Sequence, residues 1–477
     1  MLFNSLDFAV FLPVVFILYW LIPQQAIRQQ NLCLLAASYI FYGWWDWRFL
    51  SLVVFSSFVD YYVGLALDKS EKHRTRKMLL LCSIAVNLGF LGFFKYYGFF
   101  AQSFADSFAM LGNQFEARSL NIVLPVGISF YTFQTLSYSI DVYRRRLAPT
   151  KDFVAFFSFV SFFPQLVAGP IERATSLLPQ FTRPRSFDYS NACNGMRQIL
   201  WGLFKKIVIA DNCAKQVNLI FDNYETLPSG TLIIGLVLFS FQIYGDFSGY
   251  SDIAIGTSRL FGFTLNKNFA FPYFSRDIAE FWRRWHISLS TWFRDYVYIP
   301  LGGSRGSQLQ TVRNILVVFV VSGLWHGANW TFVVWGLINA CFFLPVILLN
   351  KNRTNIGEIC PGRWLPTPRV VFQISLTFMV TTIAWAFFRS NSVGDALLYL
   401  QRISTMSPLI IDGVFPRRVF AFICLMLCIE WFHRNKEFGL DLNSTLSRPI
   451  RWGIYQFLCF SIYTFGGRSE DFIYFQF

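Results

Sequence analysis

The sequence is poor in charge and lacks the short motifs that mark many soluble enzymes. Only 14% of its 477 residues are charged, against about 25% in a typical soluble domain, while 54% are hydrophobic. No nucleophile elbow, phosphate-binding loop or dinucleotide fingerprint occurs, which leaves a serine-triad hydrolase and a nucleotide-driven pump without support. We see no internal repeat, although paired repeats are typical of transporters. The chain is therefore expected to be a polytopic membrane protein.

Paired cysteines and clusters of metal ligands are also lacking. The nine cysteines form no CxxC pair and most lie in apolar stretches, so neither a disulfide framework nor a zinc site is expected. Two of the four histidines, His286 and His326, lie in aromatic and largely apolar stretches without a nearby set of Cys or carboxylate ligands. We therefore expect no metal site and no bound cofactor.

Positive charge is in excess, with a net charge of +14. Basic loops beside membrane segments account for this charge more simply than a nucleic-acid partner, so we expect contact with membrane lipids and none with nucleic acid. The basic stretches 69–77 and 144–151 are assigned to the cytoplasmic side, which places the N-terminus outside. The first apolar run, 8–22, has no basic segment before it and no small-residue cleavage site, so it is predicted to be a retained helix.

The apolar runs predict an all-α polytopic membrane protein made of one membrane-embedded domain over residues 1–477. Run lengths indicate about 11 transmembrane helices, with further re-entrant or interfacial helices. Apolar runs lie, among others, at 32–45, 50–66, 229–247 and 250–263; the first three are counted as separate crossings, and the number of crossings after residue 247 is left open. The catalytic segment is expected at about 245–349.

Polar side chains interrupt these apolar runs at two places. Asp246 and Asp252 lie between two runs, where they would either pair with arginines of the 276–294 segment or contact substrate. Gln165 lies in a stretch broken by two prolines and a glycine. Such breaks are tolerated within a membrane only where they face protein or a water-filled cavity.

One amphipathic helix is predicted over 276–298, with Ser275 as its N-cap. It could carry His286 inward. Helical spacing would place four residues on one stripe: Trp282, His286, Leu289 and Phe293. The later stretch 353–369, with two prolines and a glycine, is interpreted as an ordinary connecting loop.

His326 follows a stretch, Ile315 to Trp325, that holds no charge. Eleven helical residues rise only about 17 Å, so His326 would lie at depth in a hydrocarbon core of about 30 Å. An ionisable group at depth is a functional-site hypothesis, with a satisfied core histidine as the alternative. Its imidazole would suit general acid–base catalysis.

Long motifs in a fixed order make the chain similar to one known family. The stretch Phe281-Trp-Arg-Arg-Trp-His-Ile-Ser-Leu-Ser-Thr-Trp-Phe-Arg-Asp-Tyr-Val-Tyr-Ile-Pro-Leu-Gly-Gly303, followed by Gly323-Leu-Trp-His-Gly327, resembles the membrane-bound O-acyltransferases. The segments 163–171, 246–252 and 472–477 extend the resemblance over most of the chain. Within the family the chain looks like the bacterial alginate, cellulose and peptidoglycan O-acetyltransferases, although teichoic acid D-alanyltransferases share the tryptophan–histidine helix.

The resemblance implies a helical bundle around a central funnel or tunnel, with His326 at its constriction and His286 at the second motif position. The implied reaction moves an acyl group, acetyl in this branch, from a cytoplasmic thioester to a hydroxyl. His326 would act as general base. His286, a backbone group or Asn329 would stabilise the oxyanion.

The implied donor is acetyl-CoA or an acyl-carrier-protein thioester, and the acceptor is a cell-envelope polysaccharide or a periplasmic partner protein. Expected partners are a periplasmic accessory acyltransferase or esterase-like protein and a cytoplasmic acyl donor protein. The expected location is the bacterial inner membrane. Substrate contacts are expected from Trp282, Trp285, Trp325, Asn329, Asp246 and Gln165. The alternatives are D-alanyl transfer to teichoic acid and a non-catalytic transporter or scaffold in polysaccharide export.

Overall fold

The computed structural model describes residues 1–112, 120, 122–405, 410–411, 415–442, 446–466, 470 and 472–473. Within these ranges the chain is helical and no residue belongs to a β-strand, which confirms the all-α fold class. The chain forms two compact units, Met1–Ala192 with Thr257–Leu265 and Cys193–Gly256 with Asn266–Phe477. We call them unit 1 and unit 2. The single domain over 1–477 stays a prediction.

Unit 1 contains the first helices of the chain. They are α1 (Leu6–Leu21), α2 (Ile27–Lys69), α3 (His73–Leu91), α4 (Tyr97–Met110), α5 (Ile128–Tyr143), α6 (Phe153–Ser161), α7 (Phe163–Leu166) and α8 (Ala174–Leu177). A π-helical stretch, Gly92–Tyr96, joins α3 to α4, and a 3-10 turn, Leu178–Phe181, follows α8. Helix α2 is broken at Asp46, whose φ of −159° and ψ of 109° are not helical. The break agrees with the separate helices predicted over 32–45 and 50–66.

A polar cluster lies in the interior of unit 1. The buried carboxylate of Asp60 accepts hydrogen bonds from the side chains of Ser83, Asn87 and Ser139. The Oδ1 atom of Asn87 in turn accepts from Ser56, at 2.7 Å. These bonds join α2, α3 and α5, since a buried polar group costs free energy unless it is paired.

Unit 2 contains most of the later chain. Its helices are α9 (Tyr189–Leu203, starting in unit 1), α10 (Asp211–Asp222), α11 (Ser229–Leu260, ending in unit 1), α12 (Ile278–Arg284), α13 (Ile287–Phe293), α14 (Gln308–His326), α15 (Trp330–Leu348), α16 (Pro368–Arg389), α17 (Val393–Thr405), α18 (Arg417–Phe432) and α19 (Arg448–Phe465). Two π-helical stretches, Phe204–Ala210 and Arg294–Tyr298, and the 3-10 turn Pro272–Phe274 connect some of them. The apolar runs 229–247 and 250–263 belong to one helix, because α11 continues through the polar residues between them.

Helix α11 packs closely against the chain around Phe204–Ala210, which has i→i+5 hydrogen bonding in place of i→i+4. A Cβ atom added at Gly249 would lie 2.8 Å from the carbonyl oxygen of Gly202. Glycine is therefore needed for this approach, as at other close helix contacts in membrane proteins. The π-helical stretch carries Lys205 and Lys206, which are both buried.

Six helical stretches among the described residues are long and apolar enough to cross a membrane: Ile27–Lys69, His73–Met110, Ser229–Leu260, Gln308–His326, Trp330–Leu348 and Pro368–Arg389. The first is 43 residues long, about 65 Å if straight, and its break at Asp46 leaves two pieces of about one membrane thickness each. The prediction of about 11 crossings and the orientation of the N-terminus stay predictions.

Candidate active site

His326 is the last residue of α14, and its side chain is buried, with 3% of its surface exposed. Its ring lies among aromatic side chains of the next two helices, with centroid distances of 5.0 Å to Trp335 and 5.4 Å to Phe388. Trp325 lies beside it at 5.0 Å. Helix α14 begins at Gln308, earlier than the uncharged run, so His326 is about 27 Å from the helix start rather than 17 Å. Its depth in a membrane stays a prediction.

The position of His326 depends on close packing between α14 and α15. A Cβ atom added at Gly323 would overlap the backbone carbonyl oxygen of Phe332. The overlapping atom belongs to the backbone of α15, so a rotamer change cannot relieve it. Gly323 lies one turn before His326, and the packing there therefore fixes where the histidine emerges.

The variant Gly323→Ala should lower the free energy of unfolding by about 1–3 kcal/mol, because the added methyl group has to push α15 away from α14. Thermal unfolding in detergent measures this change. The matched control is Gly89→Ala in α3, where the added Cβ meets nothing within 4 Å. The control should be neutral or more stable by up to about 1 kcal/mol, through reduced chain entropy. Equal melting temperatures for both variants would contradict the packing argument.

His286 lies between two short helices, not inside one long helix. The prediction of one helix over 276–298 is wrong: α12 ends at Arg284, and His286 has a left-handed φ of 43° before α13 begins. The predicted Ser275 cap is also wrong, because Asp277 caps α12 by accepting from the backbone N–H of Glu280. A non-glycine residue with positive φ is strained and is often found at functional sites.

The turn at His286 is held by pairing with the preceding loop. The backbone N–H of Ile287 donates to the carbonyl oxygen of Asn268 at 2.8 Å. The Asn268 side chain accepts from the hydroxyl of Ser288 at 2.9 Å and donates to Ser251 on α11 at 3.1 Å. These bonds offset the strain of the left-handed residue. They would not form if the chain were one continuous helix here.

Salt bridges anchor the helix that leads into this turn. The buried carboxylate of Glu280 binds Arg276 and Arg284, both at 2.9 Å. The backbone N–H of Ala270 donates to the carbonyl oxygen of Arg284 at 2.9 Å, so the anchored helix end is also tied to the loop before it.

The imidazole of His286 is held by packing alone among the described residues. Its exposed fraction is 1%, and neither ring nitrogen has a hydrogen-bond partner in the part of the chain that the structure describes. The ring centroid of Phe247 lies 4.5 Å away, and that of Trp325 lies 5.8 Å away. Burial lowers the pKa of His286 well below its ordinary value, so the ring is neutral near pH 7.

Both histidines line one cavity in unit 2, and their ring centroids are 6.3 Å apart. The cavity has a volume of about 420 Å³. Its walls come mainly from α12, α13, α14 and α15, and they include apolar side chains such as Val318, Phe319 and Phe343. A mostly apolar cavity with a few convergent polar groups is the usual form of a small-molecule site.

The three predicted tryptophans occupy different places. Trp282 lines the cavity with both histidines. Trp325 does not line it but lies against both imidazole rings. Trp285 is buried behind the site, where its ring is 5.2 Å from Trp385. Their part in substrate binding stays a prediction.

The two aspartates are paired, but not with the arginines that the sequence suggested. Asp252 forms a salt bridge with Lys205 at 2.6 Å, and Asp246 forms one with Lys206 at 2.8 Å. Pairing with the 276–294 arginines is therefore wrong. Both aspartates lie within α11, not between two helices.

Gln165 and Asn329 also have partners within the protein. Gln165 is buried in unit 1, where its amide donates to the carbonyl oxygen of Phe159 at 3.2 Å. Asn329 caps α15 by accepting from the N–H of Thr331, and its amide donates to the carbonyl oxygen of Asn391 at 3.0 Å. Neither lines the cavity, and their contact with substrate stays a prediction.

Some cavity residues were missed by sequence reasoning. Ser322 lies one helical turn before His326, a spacing that could have found it. Arg353 lines the cavity although its segment was interpreted as an ordinary loop. Arg283 holds this loop by donating to the carbonyl oxygens of Asn352 and Asn355, at 2.7 and 2.9 Å. No local sequence signal indicates that contact.

The described chain thus defines an integral membrane protein in which two buried histidines meet on a mostly apolar cavity. Residues 45–356 match the model of the MBOAT, or membrane-bound O-acyltransferase, family. The chain belongs to this family and is an acyltransferase. It is 39% identical to the "Probable alginate O-acetylase AlgI" of Pseudomonas aeruginosa over 395 residues, covering 82% of this chain and 73% of that protein.

Two further relatives are named for the transfer of different acyl groups. The peptidoglycan O-acetyltransferase of Helicobacter pylori is 36% identical, over 84% of this chain and 79% of that protein. The teichoic acid D-alanyltransferase of Streptococcus thermophilus is 29% identical, over 55% of this chain and 68% of that protein. The similarity is therefore greater, and covers more of the chain, for these O-acetyltransferases than for the D-alanyltransferase.

Proposed function

We propose that the protein moves an acetyl group from a cytoplasmic thioester to a hydroxyl of a cell-envelope polysaccharide or of a periplasmic partner protein. One observation carries this proposal: His286 and His326 lie on the same cavity in a chain of the acyltransferase family. The protein would act in the bacterial inner membrane, with its N-terminus outside.

His326 is the general base of the proposed reaction. Its imidazole takes the proton of the acceptor hydroxyl while the hydroxyl oxygen attacks the thioester carbonyl carbon. The C–O bond forms, the carbonyl oxygen becomes an oxyanion, and the carbon–sulfur bond then breaks. The imidazolium of His326 returns its proton to the leaving thiolate, so protons balance and no other reactant is needed. The aromatic rings around His326 keep water from the reacting atoms.

His286 is the oxyanion donor of the proposed reaction. A neutral imidazole carries one N–H group, and no described residue occupies either ring nitrogen. The N–H can therefore donate to the oxyanion as charge develops. Because the donor is held in a buried site, its dipole is worth more than it would be in water.

The charges around the cavity favour an anionic donor with a neutral acyl group. Arg283, Arg294 and Arg353 line the cavity, and none of the described residues that line it is acidic. Arginine binds phosphate well, which suits the phosphates of acetyl-CoA or of a carrier protein's phosphopantetheine arm. The ammonium of a D-alanyl group would instead need a carboxylate or another acceptor when buried.

The acceptor is the least defined reactant. A cavity of about 420 Å³ suits the acyl group and part of a thioester arm, whereas a polymer is far larger. The accessory partner that we propose is a periplasmic acyltransferase or esterase-like protein. Such a protein would receive the acetyl group or present a polysaccharide hydroxyl at the outer side of the cavity. A cytoplasmic acyl donor protein would deliver the thioester if the donor is not acetyl-CoA.

The test uses purified protein with acetyl-CoA or D-alanyl-CoA, and with alginate or peptidoglycan fragments as acceptors. Thiol release and transfer of isotope-labelled acetyl are measured together. We expect kcat/KM to be at least about tenfold higher for the acetyl donor, since burying an unpaired ammonium costs more than 1.4 kcal/mol. A preference for D-alanyl would instead favour teichoic acid as the acceptor. If no thioester is cleaved in membranes that also hold the native partners, the protein is a transporter or scaffold.

A further inference from the structure

The end of the described chain packs close to His286. Phe472 is buried, with 2% of its surface exposed. Its ring centroid lies 4.9 Å from that of Tyr250 and 6.1 Å from that of Phe247, both on α11. Phe247 is in turn the ring at 4.5 Å from His286. Two aromatic contacts therefore connect the terminal segment to the imidazole.

Buried charges hold this segment in place. The backbone N–H of Ile473 donates to Oδ2 of Asp246 at 2.8 Å. The ammonium of Lys206 lies 2.8 Å from Oδ1 of Asp246 and 2.8 Å from Oδ1 of Asp211. It also donates to the carbonyl oxygen of Glu470 at 3.1 Å. Lys206 thus lies between two aspartates and one backbone carbonyl, and its contacts with Asp246 and Glu470 connect it to Ile473 and Glu470.

Burying these charges is an unfavourable way to stabilise the fold. Taking a lysine and two aspartates out of water has a desolvation cost that their attraction only partly repays. Burial raises the pKa of Asp211 to about 7, against the opposing effect of Lys206. A buried ion pair can also impose a specific geometry on the groups that it binds.

We propose that Lys206 and Asp246 are positioning residues for acyl transfer: they hold Glu470 and Ile473 in place, so that Phe472 supports Phe247 and Phe247 fixes the ring of His286. This inference rests on the proposed role of His286 as oxyanion donor. The support is needed because no hydrogen bond from a described residue orients that ring, so within the described part of the chain it is held by packing against its neighbours.

The anchoring is tested by hydrogen exchange on the full chain in detergent. The amide hydrogen of Ile473 should be protected in the wild type and should exchange at least about tenfold faster in Lys206→Met and in Asp246→Leu, because its acceptor is disordered or removed. The matched control is Lys205→Met, which removes the adjacent buried lysine and its salt bridge to Asp252. The control should leave Ile473 protected. Rapid exchange at Ile473 in the wild type would overturn the anchoring.

The positioning role is tested by kinetics with acetyl-CoA as the donor. We expect Lys206→Met to lower kcat by about tenfold to a hundredfold with little change in KM, because a small displacement of a catalytic group has effects of this size. The double variant Lys206→Met/Asp246→Leu removes both charges and the acceptor. It should recover thermal stability relative to the single variants but not kcat.

The outcomes separate the two proposals. A double variant that regains both stability and full kcat would show that the cluster is only structural, which overturns the positioning role. The same holds if Lys206→Met loses protection at Ile473 but keeps its kcat. A wild type that releases no thiol would count against the proposed function, and the exchange data would still decide the anchoring on their own.

Discussion

Replacing His326 by alanine should lower kcat by about 10³-fold, while the protein stays folded and still binds the thioester donor. The size of the loss follows from the proposed role, because a positioned general base contributes about 10²- to 10⁴-fold. The donor KM should change little, since the base acts on the acceptor hydroxyl and its proton. Thiol release and labelled acetyl transfer, measured on the purified variant, check this result.

The control for this variant is His433→Ala. His433 lies just after α18 and is bonded through Nδ1 to the carbonyl oxygen of Ile429 at 2.9 Å, and it does not line the cavity. Its replacement should leave kcat within about twofold of the wild type, as expected for a residue away from the reacting atoms. If His326→Ala keeps the wild-type rate while its melting temperature is also unchanged, His326 is not the base.

Replacing His286 by phenylalanine should lower kcat by about 10²- to 10³-fold, the loss seen when one oxyanion donor is removed. Phenylalanine keeps an aromatic ring between Phe247 and Trp325 but has no N–H group. The variant His286→Gln has a donor again and should recover part of the rate. Steady-state kinetics of the three proteins check the order wild type, then His286→Gln, then His286→Phe.

The pH dependence gives an independent test of His286. Its pKa is lowered well below the ordinary value by burial, so the ring takes up a proton only in more acidic solution. Between pH 6 and 8 the ring therefore stays neutral. The kcat profiles of wild type and His286→Phe should then have the same shape over this range and differ only in height. A limb near pH 6.5 that is present in the wild type and lost in His286→Phe would show that His286 titrates during the reaction, which contradicts a neutral donor.

The sequence was sufficient to predict the class of fold and to select two histidines as candidate site residues. Long apolar runs predict membrane helices because only helices and closed barrels satisfy their backbone within lipid. An ionisable residue at depth among apolar neighbours is a functional-site hypothesis, which is why His326 could be singled out. The structure places His286 on the same cavity. The two histidines are 40 residues apart in the sequence, and this separation does not predict the distance between their side chains.

The local geometry at His286 could not be predicted in the same way. Helical spacing predicts one continuous helix with Trp282, His286 and Phe293 on the same face. The spacing takes no account of tertiary hydrogen bonds. The bonds that Asn268 makes to Ile287 and Ser288 break the helix at this point. A single asparagine 18 residues before His286 gives no sequence signal of that kind.

The partners of the buried aspartates were missed for a different reason. Lys205 and Lys206 lie beside apolar residues in the sequence, and basic residues near apolar runs are typical of cytoplasmic loops rather than of buried pairs. In the structure both are buried and paired with α11. Of the closing motif 472–477, only Phe472 and Ile473 belong to the described residues, and their contact with α11 links positions more than 200 residues apart. Contacts between residues so far apart in the sequence cannot be predicted from local sequence patterns.

The π-helical stretch Phe204–Ala210 has a consequence for how this protein can vary among species. Two adjacent lysines there pair with two different aspartates of α11, Asp246 and Asp252. Adding or removing one residue in this stretch would rotate the helix that follows by about 100° and separate at least one lysine from its aspartate. Sequences of this family should therefore differ by substitutions along α9 and α10, but an alignment of them should show no gaps in the stretch that joins these two helices. The length of the joining stretch is then under stronger constraint than its composition.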